Sequence, residues 1–104
     1  MNKNKPVIGL LGIAMKAGKV VSGEEGTLKS IKGGKVYLTL IAGDSSENTK
    51  KKFADKCNYR GVPYRTVMTK GQLGDAIGKE TRAVVGILDP NLAKRMIELI
   101  DPSH

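Results

Sequence analysis

Histidine and cysteine are almost missing from this sequence: Cys57 and His104 are single copies, and tryptophan is absent. One cysteine excludes an internal disulfide, and one terminal histidine beside it leaves no Cys/His set for a zinc site. The same scarcity removes the Cys-His and Ser-His pairs on which nucleophilic catalysis commonly depends, since a terminal histidine is poorly placed to be held as a base. With no paired acid and base either, the sequence predicts no enzyme, no metal and no cofactor. Aromatics amount to 4% and consist of Tyr37, Phe53, Tyr59 and Tyr64. They do not form the paired aromatic motifs with which RRM-like or OB-like surfaces stack bases.

Long apolar runs are lacking too. Met1 to Lys5 is polar and basic, and the apolar stretch after it is interrupted by Gly9, Gly12 and Lys16, so neither a secretory signal nor a membrane span is expected. A cytoplasmic location, with no membrane partner, follows from these absences and from the unpaired cysteine.

Acidic residues are in deficit: 18 Lys and Arg stand against 10 Asp and Glu, a formal charge of +8. A polyanion is the partner that this balance favours before any motif is read. The 104 residues fit one domain, residues 1–104, because they are too few for two independent cores.

Apolar periodicity then divides the chain. Val7, Ile8, Leu10, Leu11, Ile13, Ala14 and Met15 recur at helical spacing before the stop at Gly18. Lys19-Val20-Val21 reads as a short strand, and Ser22 as the cap of a second helix that ends at Gly33-Gly34. Val36 to Ala42 is a nearly continuous apolar run, the expected central strand covered on both faces. Ser45-Ser46-Glu47-Asn48 starts a helix ending at Gly61, and Val62 to Met68 is a strand with Pro63 near its start. Thr69-Lys70-Gly71-Gln72 offers a capping box for a short helix through Ile77. Ala83 to Leu88 is the last strand, after which Asp89 as N-cap and Pro90 as first helical residue open the last helix. The alternation predicts a three-layer α-β-α sandwich around a mixed or mostly parallel sheet of four strands.

A phosphate loop is not among the motifs. In Gly9 to Lys19 the positions needing glycine and a hydroxyl hold Ile13 and Val20, and the segment lies inside a helix. Gly23-Glu24-Glu25-Gly26-Thr27-Leu28-Lys29 is more informative, because it begins a helix whose backbone N–H groups can meet a phosphate or a base edge. Lys19, Lys29, Lys32 and Lys35 lie near it in sequence, and Lys29 and Lys32 share one helical face. Glu25 has two readings: it closes an S-x-x-E capping box with Ser22, or it contacts the ligand. In the basic helix of Lys50, Lys51, Lys52, Lys56 and Arg60 the lysines spread around the axis and are mostly solvated, with Lys50, beside Asp44 and Glu47, the best placed to help a site. Cys57 falls on the apolar stripe and reads as core. Ile87-Leu88, ahead of the Asp89-Pro90 helix start, could present an apolar lip to an unstacked base.

Four segments together carry a resemblance: Gly9 to Lys19, Ser22-Gly23-Glu24, Leu38 to Lys50, and Thr69 to Gly74. Over nearly the whole chain the pattern resembles the L seven Ae / L thirty e family of kink-turn-binding ribosomal proteins. The resemblance implies a non-catalytic α-β-α sandwich that grips structured RNA, ribosomal RNA or a kink-turn among the candidates. The grip implied is the N-terminus of the second helix together with the loop before the last helix. The pattern carries over at Gly23, at Lys29 and at Ile87, Leu88, Asp89 and Pro90. It departs at Glu25-Gly26, where the strong kink-turn binders carry Asn-Glu, which implies altered readout of the sheared G·A pairs. A monomer that associates with RNA, and through it with a ribosome or translation complex, is expected. The alternative is a protein-interaction module on such a complex, engaging through the apolar final loop and holding RNA only non-specifically.

Overall fold

The computed structural model describes residues 4–101. The readings of the segment before Asn4 and of His104 lie outside the described residues. Nine elements follow in strict alternation: α1 (Lys5–Lys16), β1 (Val20–Ser22), α2 (Glu24–Lys32), β2 (Leu38–Ile41), α3 (Glu47–Arg60), β3 (Tyr64–Thr66), α4 (Lys70–Ala76), β4 (Val84–Ile87) and α5 (Pro90–Ile100). Pro6 sits in the first turn of α1, where its missing N–H would have had no helical acceptor. Asp89 caps α5 by accepting a hydrogen bond from the Leu92 N–H at 2.8 Å, with Pro90 as first helical residue, as the sequence predicts.

The strand order is β1-β4-β2-β3, so β2 shares the centre of the sheet with β4. β4 runs antiparallel to both β1 and β2, and only β2 and β3 are parallel. The sheet is mixed, the first of the two forms expected from the sequence, because β4 runs against its neighbours. The registers Leu38↔Ile87, Leu40↔Val85 and Val20↔Ile87 fix that direction. Every residue of β2 and of β4 is buried, because helices cover both faces.

Alternation along the strands divides the core in two. Leu38, Leu40, Val85 and Ile87 face Val7 and Leu11 of α1, Leu73 of α4 and Met96 of α5. Ile41 and Val84 face the other way, onto Ile31 of α2 and Phe53 and Cys57 of α3. Cys57 is fully buried there, as the stripe predicts, and burial pushes its thiol pKa up. The close seat of α2 depends on a missing side chain. A Cβ on Gly86 would come to 2.9 Å from Val21 Cγ1 and 3.3 Å from Thr27 Cγ2.

Candidate nucleic-acid interface

Strand direction decides which loops meet. Because β4 opposes β1 and β2 while β3 follows β2, the strands β1, β2 and β3 finish at the sheet end from which β4 starts. Helices α2, α3 and α4 begin at that end, and each helix start carries partial positive charge from its unpaired N–H groups. Two of the three are closed by their own side chains. Ser46 Oγ accepts from the Thr49 N–H at 3.1 Å, and Thr69 and Gln72 form the reciprocal capping box expected of them. The Lys70 N–H of α4 also donates to Asp44 Oδ1 at 2.8 Å.

Helix α2 is the exception. Its N-cap is Gly23, with φ 87° and ψ 157° and no side-chain cap, in a conformation that residues with a Cβ rarely adopt. The expected Ser22 cap does not form. Ser22 is the last residue of β1, paired opposite Val85, and its Oγ accepts from Arg82 Nε at 3.2 Å. The capping-box reading of Glu25 falls with it, and the Glu25 side chain is exposed. Gly23 is held instead by the sheet, donating its N–H to the Val84 carbonyl at 2.9 Å. The first turn lies so near β1 that a Cβ on Gly26 would come to 3.3 Å from Val21 Cγ2.

Neighbouring candidates divide by what they touch. Glu24 reaches across to α3: its Oε2 accepts from Thr49 Oγ1 at 3.1 Å, and its Oε1 pairs with Lys52 Nζ at 3.1 Å. The carboxylate thus joins two helix starts and is neutralised by Lys52. Thr27 is fully buried beneath α2, so its side chain is a support and not part of the surface. Lys29 is exposed on the same helix. Lys50 is half-buried and lies 3.5 Å from Glu47, which occupies part of its charge.

Ile87, Leu88, Asp89 and Pro90 are not beside Gly23. They lie at the opposite end of β4, where the Leu88 N–H donates to the Lys19 carbonyl at 2.8 Å. Lys19 and Lys35 belong to that far end as well, since Lys19 precedes β1 and Lys35 precedes β2. Lys32 closes α2 in the same direction, roughly 12 Å along the helix from Glu24. Ile87 is fully buried, Leu88 and Asp89 are half-buried with the Asp89 carboxylate engaged in capping, and Pro90 is exposed. The contiguous footprint expected from sequence is therefore split between two ends of the molecule. In a parallel sheet the end of β4 would adjoin the end of β1; the antiparallel pairing exchanges one β4 loop for the other.

The loop brought to Gly23 is Gly78-Lys79-Glu80-Thr81-Arg82, which the sequence reading did not single out. Arg82 fastens it: besides donating to Ser22, its Nη1 donates to the Thr81 carbonyl at 2.9 Å and its backbone N–H to the Lys70 carbonyl at 3.0 Å. Lys79 is exposed. A glycine turn with two cations between helix and strand was the available signal, but only the direction of β4 gives it meaning. The assembled end offers backbone N–H groups, the exposed cation Lys79 and the carboxylate of Glu25 as an acceptor, while the exposed Lys29 lies roughly 8 Å along α2 from Glu24, in the helix's last turn. No cluster of three metal-ligating side chains occurs among the described residues, and no helix there is long and apolar enough to cross a membrane.

A relative from Bacillus subtilis (strain 168), described as RNA-binding protein YlxQ, is 48% identical over 88% of this chain and 92% of its own length. A second of that description, from Enterococcus faecium, is 42% identical over 96% of this chain and 95% of its own. Among solved structures, a protein of unknown function from Bacillus halodurans superposes with a TM-score of 0.88 at 37% identity, covering 90% of this chain and 95% of that one. The Giardia lamblia 15.5kD RNA binding protein shares the fold, with a TM-score of 0.79 at 22% identity, over 91% of this chain and 84% of its own. The model of the Ribosomal protein L7Ae/L30e/S12e/Gadd45 family matches residues 6–97, and the chain belongs to that family.

Proposed function

We propose that this protein is a non-catalytic, cytoplasmic, monomeric binder of structured RNA, and that the start of α2 together with the loop Gly78 to Arg82 enters a bent internal loop of kink-turn type, ribosomal RNA being one source. The observation that carries this reading is the bare start of α2 at Gly23, pinned to the sheet edge beside a loop that presents Lys79. Backbone N–H groups and a helix dipole suit phosphate and base-edge acceptors, with Lys79 beside them and Lys29 further along α2 to neutralise phosphates. The relatives described as RNA-binding proteins and the charge of +8 support the same partner class.

Glu25 refines the target. A carboxylate at this tip repels phosphate and can only accept hydrogen bonds, so it favours unpaired base amino groups over a regular backbone. Gly26 brings no side chain to the bases. Selectivity therefore rests on a splayed internal loop, where amino groups are within reach.

Titration of the protein against a kink-turn RNA and a plain duplex of equal length, at two salt concentrations, tests the reading. Retained preference for the kink-turn at the higher salt is the expected outcome. Equal affinities that vanish together would reduce the surface to a diffuse basic patch and overturn it.

A further inference from the structure

We infer that a groove at the far end of the molecule from Gly23 docks an acidic, apolar-anchored peptide segment of a partner protein. The groove has a volume of about 590 Å³ and lies between the end of α2, the end of α3 and the outer side of α5. That size falls within the range of roughly 300–1,000 Å³ at which clefts enclose ligands. Its floor is apolar, formed by Ile31, Val36 and Ala93, all at most 5% exposed, and Tyr37 stands at its mouth with 44% of its surface open. A tyrosine so placed supplies a rigid contact area with a polar tip, the kind of residue on which interfaces concentrate their affinity.

The rim fixes the sign of the occupant. Arg60 and Lys94 border the groove and have no carboxylate partner among the described residues, while the one rim carboxylate, Glu98, is paired with Arg95 at 3.7 Å. Lys32 and Lys35 are exposed close by in sequence to the lining residues Ile31, Gly34 and Val36. Two cations without a carboxylate partner, Arg60 lying over the Tyr59 ring at 6.0 Å, complement above an apolar floor a chain that alternates apolar side chains with Asp or Glu. They suit RNA poorly: phosphates gain nothing from an apolar floor, Glu98 repels them, and a single tyrosine makes no stacking platform. Because the groove and the Gly23 end lie at opposite ends of the sheet, both can be occupied at once.

The test uses the full-length protein labelled with ¹⁵N and two synthetic peptides that share the same leucine positions. One carries glutamates at every intervening position, the other lysines. The acidic peptide is expected to shift the amides of Gly34, Tyr37, Gly61 and Lys94 saturably, and the lysine peptide to leave them unmoved. Lys94→Glu should weaken the acidic peptide about tenfold and Tyr37→Ala about fivefold, whereas Lys5→Glu, an equal charge change at the start of α1, should not. RNA affinity of Lys94→Glu measured in parallel should stay at the parent value, which shows that the variant folds and separates this proposal from the RNA reading. Equal shifts by both peptides, failure to saturate, or shifts confined to the Gly23 end would overturn it. So would displacement of the groove amides by kink-turn RNA, or concentration-dependent self-association abolished by Arg60→Glu, since the occupant would then be RNA or a second copy.

Discussion

The two ends of β4 are only three residues apart, roughly 10 Å of strand, yet they are built on different chemistry. At the start of the strand three helices begin, and polar backbone is brought to the surface with one helix left without a side-chain cap. At its end α2 and α3 finish and α5 begins under an Asp89 cap, and an apolar groove opens between them. Exposed cations are present at both ends, so charge alone does not distinguish them. What differs is whether those cations surround hydrogen-bond donors or an apolar floor. A basic protein can thus hold a nucleic acid on one end and present a different partner site on the other.

The largest way to break the difference is to dislodge the loop at the Gly23 end. A Cβ on Gly74 would collide with the Glu80 carbonyl and come to 3.0 Å from Thr81 Cα, both rigid backbone. Gly74→Ala should therefore lower stability by about 3 kcal/mol in urea unfolding and displace Gly78 to Arg82. RNA affinity should fall at least tenfold while the acidic peptide still binds at temperatures where the variant remains folded. An unchanged unfolding midpoint would show that the loop yields readily and is not locked against α4.

A smaller effect compares cations directly. Lys29→Ala with Lys79→Ala should reduce the slope of log affinity against log salt by about one to two, since each phosphate contact releases counterions. Lys19→Ala with Lys35→Ala removes equal charge from the other end and should leave the slope nearly unchanged. Equal losses from the two pairs would mean that RNA wraps the whole molecule and that the two ends do not divide the work.

How much of this was legible in the sequence follows from how local each signal is. Helix limits at Gly61, Thr69 and Asp89 were readable because caps and stops act within four residues, and all three stand in the structure. The buried run of β2 was readable from composition, and Cys57 from its stripe. Ser22 misled because S-x-x-E is a local motif that the pairing of β1 with β4 overrides, turning the serine into a strand residue bound by Arg82. The loop at Ile87 to Pro90 was misplaced for a nonlocal reason. Which end of the last strand adjoins α2 is set by strand direction, and alternation of helices and strands does not encode it. Glu24 was likewise a candidate RNA contact on sequence grounds, because its partners Thr49 and Lys52 lie 25 and more residues away.

The smallest effect sharpens that correction. Asp89 was a candidate contact on sequence grounds, whereas in the structure its Oδ2 accepts from the Leu92 N–H at 2.8 Å and its backbone carbonyl accepts from the Ala93 N–H at 3.0 Å. Asp89→Ala should thus cost about 1 kcal/mol of stability through the lost cap, read as a lower urea midpoint at constant slope. Asp89→Ser, which can still cap, should recover most of it. Neither variant should alter RNA affinity, because the residue lies at the far end of β4 from Gly23. Tighter RNA binding by Asp89→Ala would signal a phosphate near this carboxylate, since removing a negative charge relieves repulsion only within about a Debye length of 10 Å or less. That result would return the loop before α5 to the RNA surface and crowd the groove beside it.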